Sequence, residues 1–239
     1  MTPNKTCRLN EISWRFDEVT TLQYDDNGDL TSYFMSDQNG VKKPVYEGRI
    51  AYENDRMSEI RFYDSNGVLI ENYWIEFNYL GSVLTRKIEH NINGQGIDEF
   101  KETRYSFRNG KPVELQYVNY QEGIYGFDSL TWENDNVVKW RCFQDGTIGA
   151  VASYNMQYDD KKNVLQEIGG YVFDDYKLMS RNNVLNTTGV EENANINDSY
   201  SYQYNESNYP VNLNVTYKYT YLGTTETDTD NWIMTYNCN

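Results

Sequence analysis

Apolar and polar positions along this chain follow one motif that recurs. A pair of apolar or aromatic residues at i and i+2 leads into a short polar stretch, and apolar residues then return. The second members of the pairs are Tyr24, Tyr52, Phe77, Phe107, Trp132, Tyr158 and Tyr204, and two residues before them stand Leu22, Ile50, Ile75, Tyr105, Leu130, Met156 and Tyr202. A two-residue period is that of a strand with one buried face. The polar stretches are "DDNGD", "ENDR", "NYLGS", "RNGKP", "ENDN", "DDKKN" and "NESN". Asn, Asp and Gly tolerate the left-handed backbone that tight hairpins demand, so each stretch predicts a reversal. The returning arms carry apolar residues again, as at Val113, Leu115 and Tyr117 or Val211, Leu213 and Val215.

Most units recur every roughly 25–30 residues, room for two strands and two connections, which is an array signature. With "CRLNEISWRF" and "WIMTYN" adding one strand each, the expectation is an all-β antiparallel up-and-down meander of about 14–16 strands in a single domain, 1–239. A flat sheet of that width leaves two open edges, so closure into a barrel or half-barrel lined by Tyr and Trp is expected. The residues on the opposite faces include Gln23, Ala51, Glu76, Ser106, Thr131, Gln157 and Gln203. They are too polar to face lipid, which predicts a soluble barrel. The spacing breaks between Tyr158 and Tyr204. There 174–199, "DDYKLMSRNNVLNTTGVEENANINDS", is Asn-rich and without period. It reads as a long loop insertion with room for a short helix at Tyr176–Ser180.

The units resemble the YD-type hairpins of RHS-like proteins, as in "YDDNGDL" and "FYDSNGVL". Over nearly its whole length the chain resembles a family of secreted lipoproteins of unknown function from Bacteroides-type bacteria. "KTCRLNEI", "LQYDDNGDL", "IAYENDRMSEI", "LMSRNNVLN" and the aromatic closing strand carry that likeness. The resemblance implies a porin-like fold, export, and a lipid anchor on a cysteine upstream of "MTPNKT", hence an extracytoplasmic, outer-membrane-anchored or periplasmic location. It brings no catalytic residues.

Composition narrows the partners. The net charge of −15 repels phosphate backbones, and no basic stripe compensates, so nucleic acid is excluded. Strong like charge favours a soluble monomer. No apolar run is long enough for a transmembrane helix. Of the cysteines, Cys7, Cys142 and Cys238, none is at CxxC spacing. In a meander that closes on itself, Cys7 and Cys238 become neighbours and can bridge; three buried thiols is the other reading.

Candidate chemistry is sparse, and no cofactor is implied. The single histidine, His90, stands beside a Gly-rich turn without a nucleophile motif, which reads as a strand-end residue and not a triad member. A glycosidase needs two carboxylates roughly 5–10 Å apart, and a chain with 36 acids does not single out such a pair. Glu226, Asp228 and Asp230 alternate along an extended stretch, a like-charge row that a cation or plain solvation relieves. Trp74 has the opposite parity to Ile75 and Phe77, and Tyr120 and Tyr125 lie in the connection "NYQEGIYG", which reads as a loop tip. These three are the candidate ligand-binding rings. The expected function is non-catalytic binding of a glycan, peptide or partner protein. The alternatives are a structural or adhesive scaffold and, more remotely, a carboxylate-based glycoside hydrolase.

Overall fold

The computed structural model describes residues 7–14, 18–37, 39–121, 123–166 and 179–238. Its strands are β1 (Cys7–Trp14), β2 (Glu18–Tyr24), β3 (Leu30–Asp37), β4 (Lys42–Glu53), β5 (Arg56–Asp64), β6 (Leu69–Leu80), β7 (Val83–Asn91) and β8 (Lys101–Arg108). They continue with β9 (Lys111–Asn119), β10 (Gly123–Glu133), β11 (Asn136–Gln144), β12 (Ala152–Lys162), β13 (Asn182–Glu191), β14 (Ala194–Tyr204), β15 (Pro210–Tyr221) and β16 (Thr224–Cys238). Each pairs with its chain neighbours, and β1 pairs with β16, so the sheet is a closed sixteen-stranded antiparallel barrel. Packing divides it into two compact units, one of Met1–Leu22, Thr131–Trp140 and Ala152–Asn239, the other of Gln23–Leu130 and Arg141–Val151.

Two turn designs make the reversals. Asn54 and Asp55, Asn109 and Gly110, and Asn134 and Asp135 all have positive φ, the two-residue hairpin geometry that matches strand twist. The longer turns begin on Asp or Asn, whose side-chain oxygen gathers backbone amides. Asp64 Oδ1 accepts from Asn66 N at 2.8 Å and Val68 N at 2.9 Å, and Asn205 Oδ1 accepts from Ser207 N and Tyr209 N, both at 3.0 Å. The fourth position is left-handed, filled by Gly67 in one and Asn208 in the other.

The recurring pair is divided between core and rim. Leu22, Ile50, Tyr105, Leu130 and Met156 are buried, whereas Tyr24, Phe107, Trp132, Tyr158 and Tyr204 are half-buried and Tyr52 is exposed. In the third unit the turn lies at Gly81–Ser82, so its rim ring is Tyr79, and Phe77 belongs to the buried row with Ile75. A β-bulge accompanies most rim rings: the register shifts between Ala51 and Tyr52, Asn78 and Tyr79, Ser106 and Phe107, Gln157 and Tyr158, and Gln203 and Tyr204. The extra residue sits on the return arm, as Ser58 and Thr85 do, and their hydroxyls donate back to Ala51 O and Asn78 O at 3.2 and 3.1 Å. A bulge adds local twist and re-aims the side chains beyond it. Beyond it the ring faces a buried residue of the return arm, Leu84 for Tyr79, Pro112 for Phe107, Val184 for Tyr158 and Pro210 for Tyr204.

In the 23–130 unit Ile60, Phe62, Ile75, Phe77 and Leu115 form the buried face, each side chain contributing roughly 1.5–3 kcal/mol. Lys87 is buried among them, with Nζ 3.0 Å from Glu89 Oε1. In the other unit the core is Ile12, Val137, Leu213, Val215 and Met234.

The expected long loop at 174–199 is not one. Residues 182–191 are β13, and β14 begins at Ala194. The strand period is hidden because polar side chains take core positions: Asn183, Thr187 and Asp198 are all buried. The turn between them, Glu192–Asn193, has positive φ at both residues without a glycine to announce it. The short helix expected at Tyr176–Ser180 falls mostly outside the described residues. At the seam of the barrel Cys7 lies directly opposite Cys238 across β1 and β16. Cys7 is disulfide-bonded, and Cys142 is not part of a disulfide.

Candidate functional site

Trp74 leaves the sheet on the face away from the core, and its ring is half-buried. His90, directly opposite on β7, stacks on it with centroids 4.2 Å apart and 8° between planes; from β5, Arg61 places its guanidinium 4.9 Å from the indole centroid. Arg61 is in turn held by Glu59 at 2.5 Å. Asp98 Oδ2 lies 2.6 Å from Nδ1 of the His90 ring, while Nε2 is buried without a hydrogen-bond partner, with Glu76 Oε2 3.5 Å away. That is an imidazole pinned in place, unlike one presented to a nucleophile. Tyr120 donates to Glu99 Oε1 at 3.0 Å and accepts from Gln121 Nε2 at 2.8 Å; Tyr125 packs against Tyr117 at 6.1 Å. The connection after β7 thus anchors His90 through Asp98 and Tyr120 through Glu99, but these rings do not converge on a shared cleft. Cross-strand packing occupies the Trp74 ring with His90 and Arg61 and sets Tyr125 against Tyr117.

The acidic row does not converge either. Glu226 and Asp228 are exposed on β16, and Asp230 accepts from Trp232 Nε1 at 2.7 Å. Among the described residues, no group of three or more His, Cys, Asp or Glu is arranged to hold a metal ion. Hydrolase chemistry needs a carboxylate with a raised pKa, and Glu102 and Asp64 are shifted the other way. Burial would raise Glu102, but hydrogen bonds and charge from Arg104 and Arg86 outweigh it and lower its pKa. Asp64 is lowered by the amides of Val68 and Asn66 in its turn.

The arrangement best suited to holding a ligand lies on the buried face of the other unit. A partly open cavity of about 170 Å³ is lined by Tyr200 and Tyr202 of β14, Leu213 and Tyr217 of β15, and Trp232 and Met234 of β16, with Asn163, Val164, Leu165, Asn183, Val184 and Pro210 at its walls. Register explains the convergence. Tyr202, Leu213 and Trp232 form one cross-strand row, and Tyr200, Val215 and Asp230 form the next. A 3-10 turn, Val164–Gln166, brings the buried Val164 and Leu165 against the rings. Asn163 holds that turn, its Nδ2 donating to Ser180 O and its Oδ1 accepting from Leu165 N, both at 3.1 Å. Asn183 Nδ2 donates to Asp159 Oδ2 and to Tyr204 Oη, each at 3.2 Å. The signals available in sequence were the alternating rings of "SYSYQY" and "TYKYTY" and the lone Trp of "NWIMTY". Their meeting depends on the Leu222–Gly223 hairpin, which sets Trp232 against Leu213.

No protein-family model matches the chain, and no curated protein matches it. Among solved structures it is similar to a porin-like protein from Bacteroides uniformis ATCC 8492, with a TM-score of 0.61, 11% identity, and coverage of 98% of this chain and 97% of that one. It is also similar to a porin-like protein from Bacteroides vulgatus ATCC 8482, with a TM-score of 0.55, 13% identity, and coverage of 96% and 99%. At such identities the likeness is one of fold: this chain has a porin-like β-barrel fold.

Proposed function

We propose that the protein is an extracytoplasmic, non-catalytic binding module that holds a small ligand in the ring-lined cavity between β13 and β16. The cavity carries this reading. An apolar cavity of about 150 Å³ is large enough for a six-membered ring, and drug-sized pockets run to roughly 300–1,000 Å³. At about 170 Å³ this one suits a single ring or compact headgroup. A longer glycan or peptide would engage it through one terminal group.

Location is supported by two features. The disulfide at Cys7 suits an oxidising compartment. The outward face carries ion pairs such as Arg49–Glu47 and Arg86–Glu102 and an amide cluster at Asn212, Asn214 and Asn231. Such a face is costly in hydrocarbon, which favours a soluble barrel over a membrane channel.

The test is a ligand screen by thermal shift and tryptophan fluorescence on the protein and on a Val184→Trp variant that fills the cavity. Hits that vanish in the filled variant support the module. Hits that persist there place binding elsewhere, and silence across neutral, anionic and cationic fragments returns the scaffold reading, which the packing of Trp74 against His90 and Arg61 favours.

A further inference from the structure

Resting on the reading that the cavity binds a ligand, we infer that it takes an alkylated ammonium group, quaternary or tertiary, in a cage formed by Tyr200, Tyr202, Tyr217 and Trp232. The faces of Tyr and Trp carry the negative part of the ring quadrupole, and several rings around one compact volume favour a cation whose charge is spread over methyl groups. Trp232 donates its indole N–H to the Asp230 carboxylate at 2.7 Å. A charged acceptor at that edge polarises the indole toward a more electron-rich face. Asp230 belongs to the row beside Trp232, and Asp228 stands opposite Tyr217 on the same face of β16.

Competing ligand classes fit less well. No Lys or Arg lines the cavity, so an anion finds no counter-charge. A neutral sugar needs several hydrogen bonds from the walls, yet the wall amides are committed. Asn163 is bonded at both ends, and Asn183 Nδ2 is shared between Asp159 and Tyr204. A methylated ammonium asks for no hydrogen-bond donor. It needs ring faces, a nearby carboxylate and a close fit, and the protein's net charge of −15 raises the local concentration of cations.

The experiment titrates the intact, oxidised protein with choline chloride and with 3,3-dimethylbutan-1-ol, which replaces the ammonium nitrogen by carbon at the same size. Binding is read by tryptophan fluorescence and calorimetry. Choline is expected to bind about tenfold or more tightly than the alcohol, the ratio that a desolvated cation–π contact gives. Trp232→Leu should abolish the preference and Asp230→Asn should weaken it several-fold, both with an unchanged near-ultraviolet circular dichroism signal from the remaining rings. If Trp232→Leu does not fold, Tyr217→Leu tests the same cage. Equal affinity for the two probes overturns the inference and leaves a generic apolar site. Binding of neutral fragments without choline overturns it likewise while keeping the module. Failure of every probe class removes both readings together.

Discussion

Tyr52 donates its hydroxyl to the carbonyl oxygen of Leu30 at 2.9 Å, and Leu30 is the buried residue that opens the return arm of the preceding hairpin. The same relationship recurs from Tyr158 to Val137 at 2.5 Å and from Tyr236 to Pro210 at 2.6 Å. Each of these three rings therefore ties its strand to the hairpin before it, at a carbonyl just past the turn. The repeat is thus a unit of cohesion between neighbours as well as a unit of chain.

Replacing the ring hydroxyl tests this directly. Tyr52→Phe should cost about 0.5–1.5 kcal/mol in urea unfolding, the usual net worth of one hydrogen bond. Tyr158→Phe should cost more, because the same hydroxyl also accepts from the buried Ser180 Oγ at 3.0 Å. Equal and negligible losses would show that the bonds are incidental to cohesion.

The seam is a second point of cohesion. Cys7→Ser removes the disulfide beside the β1–β16 pairing and should cost about 2–5 kcal/mol, the range for native bridges. Melting under reducing conditions should lower the wild-type midpoint to that of the variant. Cys142→Ser, which leaves that bridge in place, should keep a midpoint that falls on reduction.

At alkaline pH the rim should weaken. The Tyr52 hydroxyl is pushed up from 10.0 to about 12, chiefly by burial and then by the charges of Asp29 and Asp25. A phenol whose folded pKa is raised holds its proton better in the native state. Its contribution is complete below the unfolded pKa and is lost as pH climbs from about 10 toward 12. Burial also raises Tyr33, Tyr73 and Tyr204. Tyr52→Phe should make the alkaline fall in stability shallower, and an unchanged slope would remove Tyr52 from the account.

At the acid end the sign reverses. Glu102 is lowered below its ordinary 4.5 by Arg104 and Arg86 despite its burial. It stabilises the fold above that value, and the contribution is lost as pH falls through its depressed folded pKa. Glu102→Gln should lower the urea midpoint at pH 7. The difference from wild type should shrink toward pH 2, as the native carboxyl also becomes protonated.

Most of the barrel could be read from residues, and the reasons for the exceptions are physical. Alternation placed Leu22, Ile50 and Met156 in the core because nothing but burial produces that row. It aligned Phe77 with the rings that precede a turn, a place that Tyr79 holds, because "NYLGS" hides a turn that starts only at Gly81. It lost β13 and the first half of β14 because Asn183, Thr187 and Asp198 are buried polar residues, invisible to a pattern built on hydrophobicity. Bulges at the rim rings leave no local signature, since they depend on which residue across the hairpin goes unpaired. Trp74 stood out through its parity, yet parity gives direction and not the neighbours that cover a ring. The cavity needed the register of three strands at once.

Close backbone approaches give the sharpest contrast between two outwardly similar substitutions. Gly48 lies opposite Tyr33, and a Cβ there would meet the ring carbon Cζ at 2.4 Å; Gly189 lies opposite Tyr154, and a Cβ there would meet Ser153 O at 2.3 Å. Neither glycine is needed for a left-handed conformation, so the cost is purely one of space. A ring covering a glycine across the ladder is a known way to pin register. Gly48→Ala should destabilise by about 1–3 kcal/mol through overpacking. In a Gly48→Ala/Tyr33→Ala double variant the loss should be smaller than the sum of the single losses, because the obstructing ring is gone. Gly189→Ala faces a backbone oxygen that cannot swing aside, so its loss should be larger, and Tyr154→Ala should not relieve it. Relief at both sites, or at neither, would mean that the sheet shifts as a whole to accommodate the methyl group and that the two glycines do not fix its register.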